Sequence, residues 1–166
     1  MEINVRLQPV DITDKEVLRQ LLELYLYDFS VFTGSDVDLH GRYGYEYLDH
    51  YWTEEDRHPY LLKVNDRTAG FVLVRGKREP TGELIHYMAE FFVMRKYRRR
   101  KIGRKAAFQA FNRFPGRWRV TEIAENLPAQ EFWRQTIGEY TGGQFREGVN
   151  ESGDGPMQEF SVPPTS

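Results

Sequence analysis

Ile3, Val5 and Leu7 alternate with polar neighbours, the two-residue period of a half-buried strand. Thr13 and Glu16 then stand at the spacing of a capping box, which predicts the start of a helix. Leu18, Leu21, Leu22, Tyr25 and Phe29 fall on one face of it, and Gly34 stops it. Residues 35–45 read as a loop and Tyr45 to Trp52 as a short second helix. Tyr60 to Val64 and Ala69 to Val74 form a hairpin about the Asn65-Asp66 turn. After the turn at Pro80-Thr81-Gly82, Leu84 to Met94 is a long apolar strand that runs into a basic segment. Ile102, Ala106, Ala110 and Phe114 recur every fourth residue, with Ala107 and Phe111 beside them, predicting a helix closed by Pro115-Gly116. Trp118 to Ile123 is a strand. Asn126 caps a further helix, with Pro128 in its first turn. Ala129, Phe132, Trp133, Thr136 and Ile137 line its inner side, and Gly142-Gly143 ends it. Phe145 to Val149 and Met157 to Val162 close the chain as a hairpin, with a frayed tail at 163–166. The order β-α-α-β-β-β-α-β-α-β-β packs most simply as an α/β domain over residues 1–166, one mixed sheet with helices on both faces.

Composition narrows the classes. Aromatic residues make up 14% of the chain, enough for a packed core and too many for a disordered one. A formal net charge of −2 argues against a dedicated DNA-binding domain. The chain has no cysteine, which excludes disulfide scaffolds, thiolate metal sites and cysteine nucleophiles, and fits a reducing cytoplasm. Neither a signal peptide nor a membrane-length apolar run is present.

Charge is concentrated at one point. Eight of the 23 lysines and arginines lie between Arg95 and Lys105, where a strand gives way to a helix. A helix start offers unpaired amides and a partial positive charge, so basic residues crowded there make sense if an anion occupies the site. The plain alternative is a solvated basic turn, or a weak RNA-binding patch.

The segment from Val93 to Gly103 resembles motif A of the GNAT superfamily, the acetyl-CoA-dependent N-acetyltransferases. Val93 and Tyr97 match the approach to an Arg/Gln-x-x-Gly-x-Gly/Ala loop; Arg98 opens that loop and Gly103 fills its last position. Lys101 stands where the family usually has the first glycine. Asn126, Ala129, Phe132 and Trp133 resemble the family's later strand-to-helix step, commonly Asn-x-x-Ala-x-x-Phe/Leu-Tyr. The resemblance covers nearly the whole chain.

It implies a mixed, mostly antiparallel GNAT-like sheet and a cleft for acetyl-CoA between two splayed strands, around Phe91, Phe92 and Val93 and around Val120 to Ile123. It implies that Arg98, Arg99, Arg100, Lys101, Ile102, Gly103 and Arg104 hold the pyrophosphate, with Asn126 on the opposite wall. No metal is implied. The implied reaction is transfer of the acetyl group to a primary amine, on a small molecule or a protein, by direct attack on the thioester. Glu90, Glu83 and Glu122 are candidate bases, with His86 a fourth. Glu90 is favoured because Met88, Ala89, Phe91 and Phe92 surround it and would raise its pKa. The amide of Val93 is the expected oxyanion donor. Trp133 replaces the tyrosine that protonates the departing thiolate in many relatives, leaving that step to solvent; it is expected on the cleft side of its helix, with Phe132 toward the sheet. Asp28, Ser30 and Asp36, with Tyr25, Tyr27, Tyr43, Tyr45 and Tyr47, are expected around the acceptor, where acids and aromatics suit a cationic amine. A catalytically degenerate CoA-binding sensor is the alternative of the same fold. Nucleic acid is a disfavoured partner, and a homodimer stays open.

Overall fold

A computed structural model describes residues 2–165. Seven strands form one sheet in the order β1-β2-β3-β4-β5-β7-β6, where β1 is Val5–Pro9, β2 Arg57–Val64, β3 Arg67–Arg78, β4 Leu84–Val93, β5 Gly116–Thr121, β6 Arg146–Val149 and β7 Pro156–Val162. All neighbours are antiparallel except β4 and β5, which are parallel. A parallel pair needs a crossover, and helix α3 (Ile102–Arg113) supplies it. Helices α1 (Lys15–Thr33) and the single turn α2 (His50–Thr53) cover one face of the sheet, while α3 and α4 (Leu127–Thr141) cover the other.

Helices α1 and α3 are held by the stripes their spacing foretold. Leu18, Leu21 and Leu22 of α1 are buried with Phe71, Leu73 and Phe92. Ala106, Ala107 and Ala110 of α3 are fully buried, and their small size brings the helix close enough for Phe111 to meet Trp118 edge-on at 5.0 Å. Trp118 is itself fully buried, and its Nε1 donates to the Phe114 carbonyl at 2.7 Å, so its one polar atom is satisfied.

Several boundaries differ from the sequence pattern. The capping box at Thr13 and Glu16 does not form. Thr13 donates instead to Asp11 Oδ2 at 2.7 Å, within a 3₁₀ turn at Ile12–Asp14 that precedes α1. The second helix is one turn rather than two, because Gly44 and the tyrosines around it sit in an extended loop tied by Glu23 to the amides of Tyr43 and Gly44. β2 begins at Arg57, three residues early. β5 ends at Thr121 rather than Ile123, and α4 runs through Tyr140 to Thr141, with Gly142 as its cap. Residues 163–165 lie outside any element, and Ser166 falls outside the described residues.

Candidate active site

β4 and β5 pair only over Ile85–Tyr87 and Arg117–Arg119. Beyond those residues the strands part, and a cleft of about 1220 Å³ opens between them. Phe91, Phe92 and Val93 line one wall, Val120 to Ile123 and Asn126 the other. Met94 N donates to the Ala69 carbonyl, so pairing alternates such that the amide and carbonyl edges of Phe91 and Val93 face away from β3, into the gap. Arg98 Nε takes up the Val93 carbonyl at 2.7 Å, leaving the amides of Phe91 and Val93 directed at the cleft.

At the cleft's far end the chain turns into α3. Arg99 and Lys101 both adopt left-handed backbone, with φ of 65° and 60°. Among the described residues, none of the amides from Arg99 to Arg104 meets a protein acceptor. Successive free amides of this kind, at a helix start, make an anion-binding concavity. Lys101 therefore keeps the backbone shape that a glycine would adopt without strain. The side chains divide unevenly around it. Arg98, Arg99 and Gly103 line the cleft, whereas Ile102 is buried in the core and Arg104 pairs with Glu139 at 2.8 Å. The cleft-lining set also lacks Arg100 and Lys101. Ile102 can thus contribute backbone only, and the Arg104 side chain is engaged by Glu139. A Cβ added at Gly103 would lie 3.1 Å from two atoms of the Phe132 ring, so the glycine permits α3 and α4 to close at this point. Asn126 caps α4 by accepting from the Ala129 amide at 3.1 Å, leaving its Nδ2 without a protein partner among the described residues.

The register of β3 and β4 slips between Leu73 and Val74: Leu73 stands opposite Glu90, yet Val74 opposite Met88. Ala89 is the extra residue of a bulge, a device that re-aims neighbouring side chains. Glu90 faces α1, where Tyr25 donates to its Oε1 at 2.9 Å. Burial pushes its carboxyl up to about 7, with Tyr25 and Tyr45 opposing the shift by hydrogen bonding to the charged form. Glu122 lies across the cleft. Its carboxyl is also pushed up to about 7 by burial; Gln158 donates to its Oε1 at 2.9 Å, while its Oε2 is buried without a partner. The other two candidates lie elsewhere. Glu83 is exposed and paired with Arg117 at 2.6 Å. His86 is buried between the rings of Phe114 and Trp118, and burial lowers its pKa. Neither lines the cleft.

Other expectations are corrected. Trp133 is buried yet lines the cleft, edge-on to Phe91 at 4.9 Å, and Phe132, expected toward the sheet, lines it as well, against Gly103. Both rings pack on Phe91, Phe132 at 5.7 Å, and Trp133 is the more buried because it shares its helical face with Ile137 and Gln130. Tyr140 donates to Asn112 at 2.6 Å, away from the cleft. Asp28 reaches the cleft, but Arg95 and Arg98 neutralise it at 2.8 and 2.9 Å. Asp36 and Tyr43 do not line it. Sequence reasoning missed the basic residues at this end, Arg57, Arg75 and Lys77; the two-residue spacing of Arg75 and Lys77 could have signalled a shared face, whereas Arg57 joins them only through the register of β2 and β3. Among the described residues no acidic, histidine or cysteine cluster suits a metal, and no helix is long and apolar enough to cross a membrane.

A parallel pair splayed over a cleft, with free strand amides on one wall and a free-amide turn at its end, defines a protein built to hold an extended, anion-bearing cosubstrate. The sequence model of the Acetyltransferase (GNAT) family matches residues 18–138, and the chain belongs to that family of acetyltransferases. Solved structures agree on the fold. An acetyltransferase from Thermus thermophilus is 15% identical, covering 96% of this chain and 97% of its own, with a TM-score of 0.69. RimL, a ribosomal L7/L12 alpha-N-protein acetyltransferase solved with coenzyme A, is 14% identical over 99% and 100%, with a TM-score of 0.64. Arabidopsis thaliana NAA60 with acetyl-CoA is 17% identical over 96% and 97%, with a TM-score of 0.57. No curated protein matches the chain by sequence alone. The cosubstrate of the family neighbours is acetyl-CoA or CoA, and the cleft here has the donors to take it.

Proposed function

We propose that this chain, acting as one domain, transfers the acetyl group of acetyl-CoA to the nitrogen of an amine. The turn from Arg99 to Arg104 receives the pyrophosphate on its free amides, with Arg99 adding charge. The pantetheine arm runs along β4 on the amides of Phe91 and Val93, with Asn126 facing it. One of these amides also stabilises the oxyanion that forms when the thioester carbonyl is attacked. Glu90 takes the proton from the incoming amine, directly or through water; a carboxyl near 7 is well placed to hold and release a proton near neutrality. The thiolate departs without a dedicated acid, since a thiol of reference pKa about 8.5 is a competent leaving group, and neither Trp133 nor Tyr140 can serve it.

The observation that carries this reading is the placement of Glu90 beside the bulge, hydrogen-bonded to Tyr25 and lining the same cleft as the free-amide turn. Calorimetry with acetyl-CoA tests the cosubstrate, and CoA release across a panel of amines tests the transfer. Binding without turnover on any amine would favour a CoA-binding sensor; no binding would overturn both.

A further inference from the structure

We infer that the acceptor is a small amino acid, whose carboxylate is held by Arg75 and whose amine is presented to Glu90. This rests on the transfer reading above and goes beyond it by naming the substrate class. Across the sheet, Arg57 stands directly opposite Arg75, Arg75 opposite Tyr87, and Tyr87 opposite Arg119. Residues opposed in this way share a face, so Arg57, Arg75 and Arg119 form a row, of which Arg57 and Arg75 line the cleft that Glu90 also lines. Two arginines in direct cross-strand opposition repel unless an anion stands beside them.

Here the acids are distributed so that one arginine stays free. Arg57 is buried, paired with Glu54 at 3.1 Å and lodged 5.5 Å from the ring centres of Tyr47 and Tyr51. Arg119 is held by Glu79 at 2.7 Å and Glu159 at 2.6 Å, and it donates to Tyr87 at 2.9 Å. Lys77, on the same face as Arg75, is taken by Glu151 at 3.3 Å. Arg75 lies between them, lines the cleft, and forms no ion pair among the described residues. A bound anion would relieve its repulsion with Arg57 and use the planar fork that arginine offers to a carboxylate.

Spacing and charge fix the kind of anion. Glu90 stands opposite Leu73, two residues from Arg75, so the backbones of Glu90 and Arg75 are offset by roughly 7 Å along the strand and about 5 Å across it. The long side chains of Arg75 and Glu90 shorten that offset, which leaves room for a small amino acid between their ends. A phosphate, with about two negative charges, would lie in a cleft that Glu90, Glu122 and Glu151 also line, and among the described residues Arg75 is the one arginine of the cross-strand row without an acidic partner to offset it, Arg99 standing apart at the turn into α3. A monoanionic carboxylate is the better match.

The test pairs each amino acid with its own carboxamide, and each short ω-amino acid with the alkylamine of equal length. CoA release is followed on the parent protein, Arg75→Gln and Arg75→Lys. Phosphoethanolamine and peptides with acidic first residues are included as other anion sources. The parent should favour at least one carboxylate over its neutral partner by about tenfold or more in kcat/KM. Arg75→Gln should abolish that preference by raising KM for the carboxylate, and Arg75→Lys should restore it in part. Acetyl-CoA affinity, measured separately, should be equal in all three proteins. Failure of acetyl-CoA to bind would defeat the transfer reading itself. Intact binding with no carboxylate preference, with no acceptor among these amines, or with phosphoethanolamine or peptides preferred, would overturn this inference alone.

Discussion

The Tyr25 hydroxyl donates a 2.9 Å hydrogen bond to Glu90 Oε1, joining the middle of α1 to the bulged stretch of β4. Burial and the adjacent carboxylate hold the Tyr25 pKa well above its ordinary value, so it remains a donor at any working pH. Its bond favours the charged form of Glu90 and opposes the burial that raises it. A hydrogen bond to a charged group contributes about 1.5–3 kcal/mol, or about 1–2 pH units. Tyr25→Phe should therefore move the acidic limb of the kcat/KM profile upward by about one unit. If the limb stays where it is in the parent, Glu90 is not the titrating base.

Replacing Glu90 itself should separate activity from stability. The folded carboxyl titrates near 7, against a reference of 4.5, so the folded state holds its proton longer than the unfolded chain does. Its destabilising contribution grows as pH rises from 4.5 and is complete above about 7. Glu90→Gln should then be more stable than the parent at pH about 8, by on the order of 2–3 kcal/mol, and nearly equal to it at pH about 4. Turnover should fall about a hundredfold or more, with acetyl-CoA affinity little changed. Thermal unfolding at the two pH values and steady-state kinetics read the two effects. A variant that loses stability at alkaline pH would show that the carboxylate is structural.

Gly103 is the point where α3 and α4 touch. A Cβ there meets the Phe132 ring at 3.1 Å, and a branched side chain would push that ring toward the opening. Gly103→Val should weaken acetyl-CoA binding by about tenfold or more, given that overpacking costs roughly 1–3 kcal/mol. Pairing it with Phe132→Ala should recover part of the loss, since the obstructing ring is gone. Arg95→Ala is the contrast. Arg95 is exposed and bonds only Asp28, which Arg98 also holds, so affinity should change little. Equal affinities in the glycine and arginine variants would mean that the cosubstrate does not use this turn.

Where local chemistry decides, the sequence was sufficient. The four-residue recurrence from Ile102 through Ala110, the Asn126 cap and the stop at Gly34 all stand as read. Gly34 adopts φ of 72° and donates to the Ser30 carbonyl. The cleft was legible through the basic turn, because consecutive positions build it. What escaped depends on register between distant strands. The row from Arg57 to Arg119 draws on four strands, and no single segment reveals it. The bulge at Ala89 has no signature in Met88-Ala89-Glu90, yet it orients Glu90. Phe132, expected toward the sheet, lines the cleft beside Trp133: adjacent aromatics are nearly equivalent in a hydrophobic stripe, and Phe91 packs against both rings.

Lys101 links the sequence departure to a measurable strain. It initiates α3 with φ of 60° and ψ of 15°, where a Cβ crowds the following carbonyl. The left-handed region costs a non-glycine residue roughly 1–2 kcal/mol. Glycine avoids that cost but returns about 0.4–1 kcal/mol through the greater freedom of its unfolded chain. Lys101→Gly should thus raise the melting temperature by about 2 °C in a chain of this size. Lys101→Ala should not, because alanine keeps the Cβ. Both substitutions remove the same charge beside the free amides, so each should lower the salt dependence of acetyl-CoA binding to the same degree. The difference between glycine and alanine then reports the backbone, and the difference between lysine and alanine reports the charge. If alanine stabilises as much as glycine does, the gain comes from relieving repulsion among neighbouring cations, and the turn carries no conformational strain at this position.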